Sequence, residues 1–281
     1  MKNLHPIQID PMIARSLEED WGYGDWTTDI CLPASGQTTA RIVSKEPLVM
    51  AGIEVATATF LKVDPKLEVT PLCQNGDFIE TIRTPLLEVT GCPASILKAE
   101  RVCLNFLGRM CGIASLTRQF VRELEGTKAQ LLDTRKTTPG LRLLEKSATM
   151  IGGARNHRFG LCDGVIVKEN HIRAAGGLTA AVERLLESLP PTLKIEVETT
   201  TLEEVEEAIR VGADIIMLDN MSVDLMRQAV ELIDHRTLIE ASGNITIDNI
   251  RKVAQTGVDF ISTGSIIHSA RWSDLSLLVN K

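Results

Sequence analysis

Apolar residues recur along this chain with two periods, and the way they alternate changes after residue 125. Residues 10–22, DPMIARSLEEDWG, space apolar side chains three and four apart behind Asp10 as a helix N-cap and Pro11 at the first helical position, and Gly22 and Gly24 end the run. Alternating stretches follow at 38–50 (TTARIVSKEPLVM), 66–73 (KLEVTPLC), 77–82 (DFIETI) and 85–91 (PLLEVTG). A turn at QNGD and a helix over 52–63 lie between them, which predicts a mixed α+β region. Residues 95–125 return to helical spacing, with breaks expected near Gly108 and Gly112.

Beyond residue 125, short apolar runs alternate with amphipathic helices. KAQLLDT precedes a helix from Pro139. GVIVKEN, KIEVET, DIIMLDN, TLIEASGN and VDFISTG follow, separated by GLTAAVERLLESL, TLEEVEEAIRVG, SVDLMRQAVELI and TIDNIRKVAQTG. Six such βα units predict a parallel sheet wound by right-handed crossovers. Eight would close a barrel, so this one is expected to stay open.

The chain has 281 residues, 44% hydrophobic and 24% charged, which fits an ordinary globular protein. No apolar run reaches the roughly 20 residues a membrane span needs, and the N-terminus lacks the apolar stretch of a signal peptide, so a cytoplasmic protein is expected. A net charge of −7 argues against broad affinity for nucleic acid or an anionic membrane, and makes any cationic cluster a local one. The six cysteines form no CxxC pair and are expected as buried, reduced thiols. The turn Asn75-Gly76-Asp77 has no lysine, which removes a lipoyl or biotin carrier from consideration.

Barrels of this kind place their chemistry at the C-terminal ends of the strands. Those ends carry Thr134-Arg135-Lys136, Lys168-Glu169-Asn170, Glu196 and Glu198, Asp219-Asn220, Ser242-Gly243-Asn244 and Thr263-Gly264-Ser265, with His157 and Arg158 just before the second strand. Arg135, Lys136, His157, Arg158 and Lys168 gather on the first two units, while carboxylates occupy the next two. Adjacent like charges call for an acidic substrate. The glycine turns SGN and TGS on the last two units suit a phosphate, and Glu198 and Asp219 between them suit ribose hydroxyls and Mg²⁺ on a diphosphate.

The ordered set DTRKTTPGLRLLEKSA, GGARNHRFGL, VKENHI, KIEVE, MLDN, EASGN and ISTGSIIHSARWSDLSL, with EEDWGYGDWTTD, LLEVTG and AERVCLNFLGRMCGIAS before it, resembles the quinolinate phosphoribosyltransferases over nearly the whole chain. The resemblance implies the type II phosphoribosyltransferase fold: an N-terminal α/β sandwich domain over 1–113, an incomplete, six-stranded α/β barrel over 114–269, and a tail, 270–281, packing back on the first domain. It implies an enzyme of NAD biosynthesis that joins quinolinate to phosphoribosyl pyrophosphate with Mg²⁺, giving nicotinate mononucleotide, carbon dioxide and diphosphate.

In the residue pattern that the resemblance carries over, Arg135, His157, Arg158 and Lys168 surround quinolinate's carboxylates, joined by Arg101 from the other subunit of a homodimer. Thr134 stands beside them. Lys136, Glu198 and Asp219 meet the phosphoribosyl pyrophosphate and its metal, and the loops Ser242–Asn244 and Thr263–Ser265 take the 5′-phosphate. The catalytic set is Lys136, Lys168, Glu198 and Asp219. The loop reads SGN where many relatives have SGG, and Asn244 tolerates the positive φ expected there. Trp272 is expected as a core anchor for the tail. Two other readings use the same residues: a Schiff-base lyase built on Lys168, and a non-catalytic or differently specific relative of the same fold.

Overall fold

A computed structural model describes residues 4–32 and 36–279, so the last two residues of the expected tail lie outside the described residues. The chain divides into two compact units, 1–118 with 137–153 and 269–281, and 119–136 with 154–268.

The first unit opens with α1 (Pro6–Trp21) and α2 (Trp26–Cys31). Helix α1 starts five residues before the position expected from Asp10. His5 caps it, with Nδ1 accepting from Ile7 N–H, and Pro11 lies inside. The stripe Ile9, Ile13 and Leu17 is buried, and burial worth about 1.5–3 kcal/mol per side chain outweighs the roughly 3 kcal/mol that an internal proline costs.

Strands β1 (Thr38–Ser44), β2 (Leu48–Val49), β3 (Glu68–Pro71), β4 (Phe78–Ile79) and β5 (Pro85–Gly91) follow, with α3 (Ile53–Val63) between β2 and β3. The main sheet is antiparallel in the order β12-β1-β5-β3, where β12 (Leu275–Val279) is the returning tail. Its core joins Ile42 and Leu87 of the sheet to Phe60 of α3 and to Leu107 and Cys111 of α4 (Pro93–Glu123).

Helix α4 runs unbroken for 31 residues, where breaks near Gly108 and Gly112 were expected. Those glycines answer to a close approach instead. A Cβ on Gly112 would lie 1.9 Å from Arg271 O, and Ser273 N–H donates to Gly108 O at 2.9 Å. The tail crosses α4 where side chains are missing. Trp272 on that tail stays 54% exposed, so it is not the core anchor expected. Cys103 and Cys111 are buried and Cys31 and Cys162 are exposed, a correction to the expectation of uniformly buried thiols; all six are free.

The second unit is a single six-stranded parallel sheet in the order β6-β11-β10-β9-β8-β7. Its strands are β6 (Gln130–Leu132), β7 (Val165–Val167), β8 (Ile195–Thr199), β9 (Ile215–Asp219), β10 (Leu238–Ser242) and β11 (Phe260–Ser262). Strands β6 and β7 are its edges, so the barrel is open between them. There Arg155 makes one parallel bridge to Leu132.

Of the connecting helices, α5 (Arg142–Gly152) groups with the first unit rather than with the barrel. Its Gly152 lies so near α4 that a Cβ would meet Ala114 O at 2.7 Å, and its Glu145 pairs with Arg109 of α4 at 2.7 Å. Helices α6 (Glu169–Ala175), α7 (Leu178–Ser188), α8 (Leu202–Arg210), α9 (Val223–Ile233), α10 (Ile250–Ala254) and α11 (Ser265–His268) complete the units. Among the described residues no helix is long and apolar enough to cross a membrane.

Candidate active site

Side chains alternate along a strand, so residues two apart share a face. Glu196 and Glu198 of β8, Met217 and Asp219 of β9, and Glu240 and Ser242 of β10 therefore form two successive layers. Most of these line one cavity of about 790 Å³ in the second unit. Thr134, Arg135, Lys136, Arg158 and Lys168 also line it, as do Ser242, Gly243 and Asn244. Arg101 is exposed on α4 and is not among the lining residues.

Arg135 and Lys136 have different neighbours in this cavity. Arg135 faces Arg158, whose pKa is lowered first by burial and then by that neighbouring charge. Lys136 runs past Gly264, where an added Cβ would lie 2.8 Å from its Cδ. Its charge also reaches Asp219. That carboxyl is pushed up by burial and by Glu198, while Asn220 Nδ2, donating at 2.7 Å, holds it down together with the lysines. Lys168 Nζ sits 2.6 Å from Glu198 Oε2, so a residue expected at one substrate and a residue expected at the other are paired with each other.

The SGN loop has Gly243 at φ 90° and Asn244 at φ 53°, as its sequence predicts. A Cβ on Gly243 would strike Asn220 Oδ1, which accepts from Asn244 Nδ2 at 2.9 Å. The second glycine turn contributes differently. Thr263 is buried with its hydroxyl 2.8 Å from that of Ser265, and neither residue lines the cavity.

The deepest group was only partly legible. His157 reaches the cavity floor, with Nε2 3.2 Å from Glu196 Oε2 and 3.3 Å from Glu240 Oε2. Glu196 and Glu240 are 3% and 1% exposed, and the Oε1 atom of each has no hydrogen-bond partner. Glu240 was missed as a site residue, although its place two residues before Ser242 on one strand face was the available signal.

Burial resists a charge on His157, but Glu196 and Glu240 outweigh it and draw the ring up to about 10. Burial, helped by Glu240 and opposed by His157, carries Glu196 up to about 7. The other ring nitrogen faces the backbone, with Arg158 N 2.7 Å from Nδ1, and the ring and its two carboxylates hold their protons as one coupled group. The same three residues bring ligand atoms within 4.8 Å of one another, a donor set for a cation. A protonated Nε2 has no lone pair to give one.

An open parallel α/β barrel with a cationic pocket, two acidic strand ends and a glycine loop at one mouth defines a phosphoribosyltransferase of the barrel class. The comparisons resolve the class further. The family described as quinolinate phosphoribosyl transferase matches through its N-terminal domain over residues 25–111 and its C-terminal domain over 113–278. The chain belongs to that family. It is 48% identical over 277 residues to a Synechocystis protein named "Probable nicotinate-nucleotide pyrophosphorylase (carboxylating)", covering 97% of this chain and 93% of that one. It is 41% identical to the chloroplastic nicotinate-nucleotide pyrophosphorylase of Arabidopsis thaliana, covering 98% and 84%. The crystal structure of NadC from Streptococcus pyogenes superposes with a TM-score of 0.95 at 38% identity over 99% of both chains.

Proposed function

We propose that this cavity joins quinolinate to phosphoribosyl pyrophosphate, forming nicotinate mononucleotide, carbon dioxide and diphosphate. The observation that carries the reading is the pairing of two arginines, Arg135 and Arg158, in one cavity beside Lys168, with Glu198 and Asp219 across from them. The charge of Arg135 disfavours that of Arg158, and a dianion lying between them relieves this repulsion. Quinolinate's adjacent carboxylates supply that charge.

Lys168 then exchanges Glu198 for a substrate carboxylate, which leaves Glu198 for the ribose. The ring nitrogen attacks C1, the bond to diphosphate breaks, and positive charge developing on the ribose is stabilised by Glu198 and Asp219. Lys136 faces the departing diphosphate. The pyridinium formed accepts the electron pair of the C2–carboxylate bond as carbon dioxide leaves, and a proton takes its place at C2. No side-chain nucleophile is required, and Lys168 is engaged with Glu198 at 2.6 Å rather than presented as a free amine for a Schiff base.

Glu198 and Asp219 fit Mg²⁺. They are hard oxygen donors at adjacent strand ends, and Asp219, raised first by burial and then by the charge of Glu198, is a carboxyl whose ionised form a divalent cation favours. Bound there with the diphosphate, Mg²⁺ would supply charge neutralisation for the leaving group. The loops Ser242–Asn244 and Thr263–Ser265 hold the 5′-phosphate, the second through its backbone because its hydroxyls are engaged internally.

The partner's Arg101 completes the quinolinate pocket in a homodimer. Incubation with quinolinate, phosphoribosyl pyrophosphate and Mg²⁺ should yield nicotinate mononucleotide by chromatography, and absence of product would refute the assignment. Mixing inactive Arg101→Ala and Lys168→Ala chains should restore part of the activity. No recovery after verified subunit exchange would show that each chain builds its own site.

A further inference from the structure

Asn220 follows the last residue of β9 in a conformation that few residues other than glycine adopt, with φ at 54°. A residue in that region persists where its surroundings over-determine it. Its main-chain N–H donates to Ser242 O at 2.9 Å, its Nδ2 donates to Asp219 Oδ2 at 2.7 Å, and its Oδ1 accepts from Asn244 Nδ2 at 2.9 Å. An ionised carboxylate only accepts, so Asp219 fixes which end of the Asn220 amide faces it and leaves the amide oxygen for Asn244. Gly243 closes on the same amide, since a Cβ there would collide with Asn220 Oδ1 and lie 2.9 Å from its main-chain N. The SGN loop is built against Asn220, with a glycine at the point of contact, and all five residues line the cavity.

We infer that Asn220 is a positioning residue that ties the Asp219 carboxylate to the SGN loop, so that the groups for the ribose and for the 5′-phosphate stand at a set spacing before the ligand arrives. The inference rests on the phosphoribosyl pyrophosphate reading above. With Oδ2 engaged, rotation of the Asp219 carboxylate is restrained, and Oδ1 remains for a ribose hydroxyl or Mg²⁺. The main-chain bond to Ser242 and the contact with Gly243 carry the same restraint to the loop. Asn244 braces the amide from the other side, and its loss leaves those two links in place. A ribose 5-phosphate unit has its own fixed spacing between phosphate and hydroxyls, and a site already set to that spacing gives up less freedom on binding.

Asn220→Gly separates this role from a role in the turn alone. Glycine adopts a positive φ without strain, so the main chain and its bond to Ser242 stay while the amide is removed. Calorimetric titration with phosphoribosyl pyrophosphate and Mg²⁺ should show binding about 10- to 100-fold weaker than the parent, the usual loss when the partner that orients a metal-binding side chain is removed. Quinolinate affinity should stay within about twofold, and circular dichroism should not change. Phosphoribosyl pyrophosphate affinity within about threefold of the parent would overturn the inference, because the residue would then serve only the turn.

Asn220→Asp keeps the tolerance for a positive φ and the acceptor for Asn244 but offers Asp219 no donor, so it should lose at least as much as glycine. Parent-like affinity in that variant would also overturn the inference. On an Asp219→Ala background, read at millimolar ligand, Asn220→Gly should add less than about threefold, because no carboxylate is left to position. A full further loss there would place Asn220 on the ligand itself. The parent chain separates the two readings: if it binds no phosphoribosyl pyrophosphate, the function proposed above fails, whereas if it binds and Asn220→Gly binds equally well, only the positioning role of Asn220 fails.

Discussion

Arg109 in the first unit and Arg158 in the second are both partly buried arginines, and their surroundings are opposites. Arg109 Nη2 meets the carboxylate of Glu145 at 2.7 Å, Nε reaches it at 2.8 Å, and Nη1 donates to Ala270 O at 3.0 Å. Glu145 is fully buried and also accepts from the backbone and hydroxyl of Thr138 at 2.8 Å. Arg158 gives a hydrogen bond to a carbonyl and feels the charge of a second arginine, and of the carboxylates that act on it, Glu196 and Asp163, the first shares its charge with His157 and a second glutamate. A guanidinium whose counter-ion the fold supplies serves structure. One set beside a like charge is suited to an anion from outside, the role proposed for it above.

The largest effect should come from the ligand. If the cations of the second unit are matched only by two carboxylates, nicotinic acid, which lacks the 2-carboxylate, leaves buried charge unmatched, and kcat/KM should fall by about 10⁴ or more. Comparable turnover of nicotinic acid in a steady-state assay would end the comparison. Next, Arg109→Met should destabilise the protein by about 3–5 kcal/mol, since it strands a buried Glu145. Urea denaturation of this variant beside Arg158→Ala, expected within about 0.5 kcal/mol of the parent, reads the contrast directly.

Within the cavity, Arg135→Ala should weaken quinolinate binding by about 1.5–3 kcal/mol, or one to two decades, with little change for phosphoribosyl pyrophosphate. Lys136→Ala should do the reverse, because its stem lies against Gly264 and its charge reaches Asp219. Separate titrations check both, and loss of the same ligand in both variants would make the doublet a single clamp. The smallest change should be Asn244→Gly. It removes the bond from Asn244 Nδ2 to Asn220 but eases a positive φ, so phosphoribosyl pyrophosphate affinity should shift by less than about threefold.

Much of the second unit could be read before any fold was known. Apolar runs bounded by SGN, TGS and LDN mark strands with polar ends, and period-two spacing puts Glu196 with Glu198 on one face. Joining Arg135 and Lys136 to the same mouth needed only the rule that parallel barrels collect function at one end. His157 was legible as a polar residue near that mouth, but not as a residue turned to the floor. Its direction depends on Glu196 and Glu240, which lie 39 and 83 positions later in the chain.

Amino-acid order by itself determined the alternation of strand and helix, the open six-unit barrel and the residue types at its mouth, because hydrophobic period and turn chemistry act within a few neighbouring residues. Tertiary structure alone decided which of two readings each ambiguous residue took. Gly108 and Gly112 are helical because a distant tail needs the space, Pro11 is internal because its helix has a stripe to bury, and Glu145 and Glu240 are buried because charges remote in sequence came to meet them. Spacing records local preference, whereas the pairing of a charge or the filling of a gap is settled only when distant segments come within contact distance.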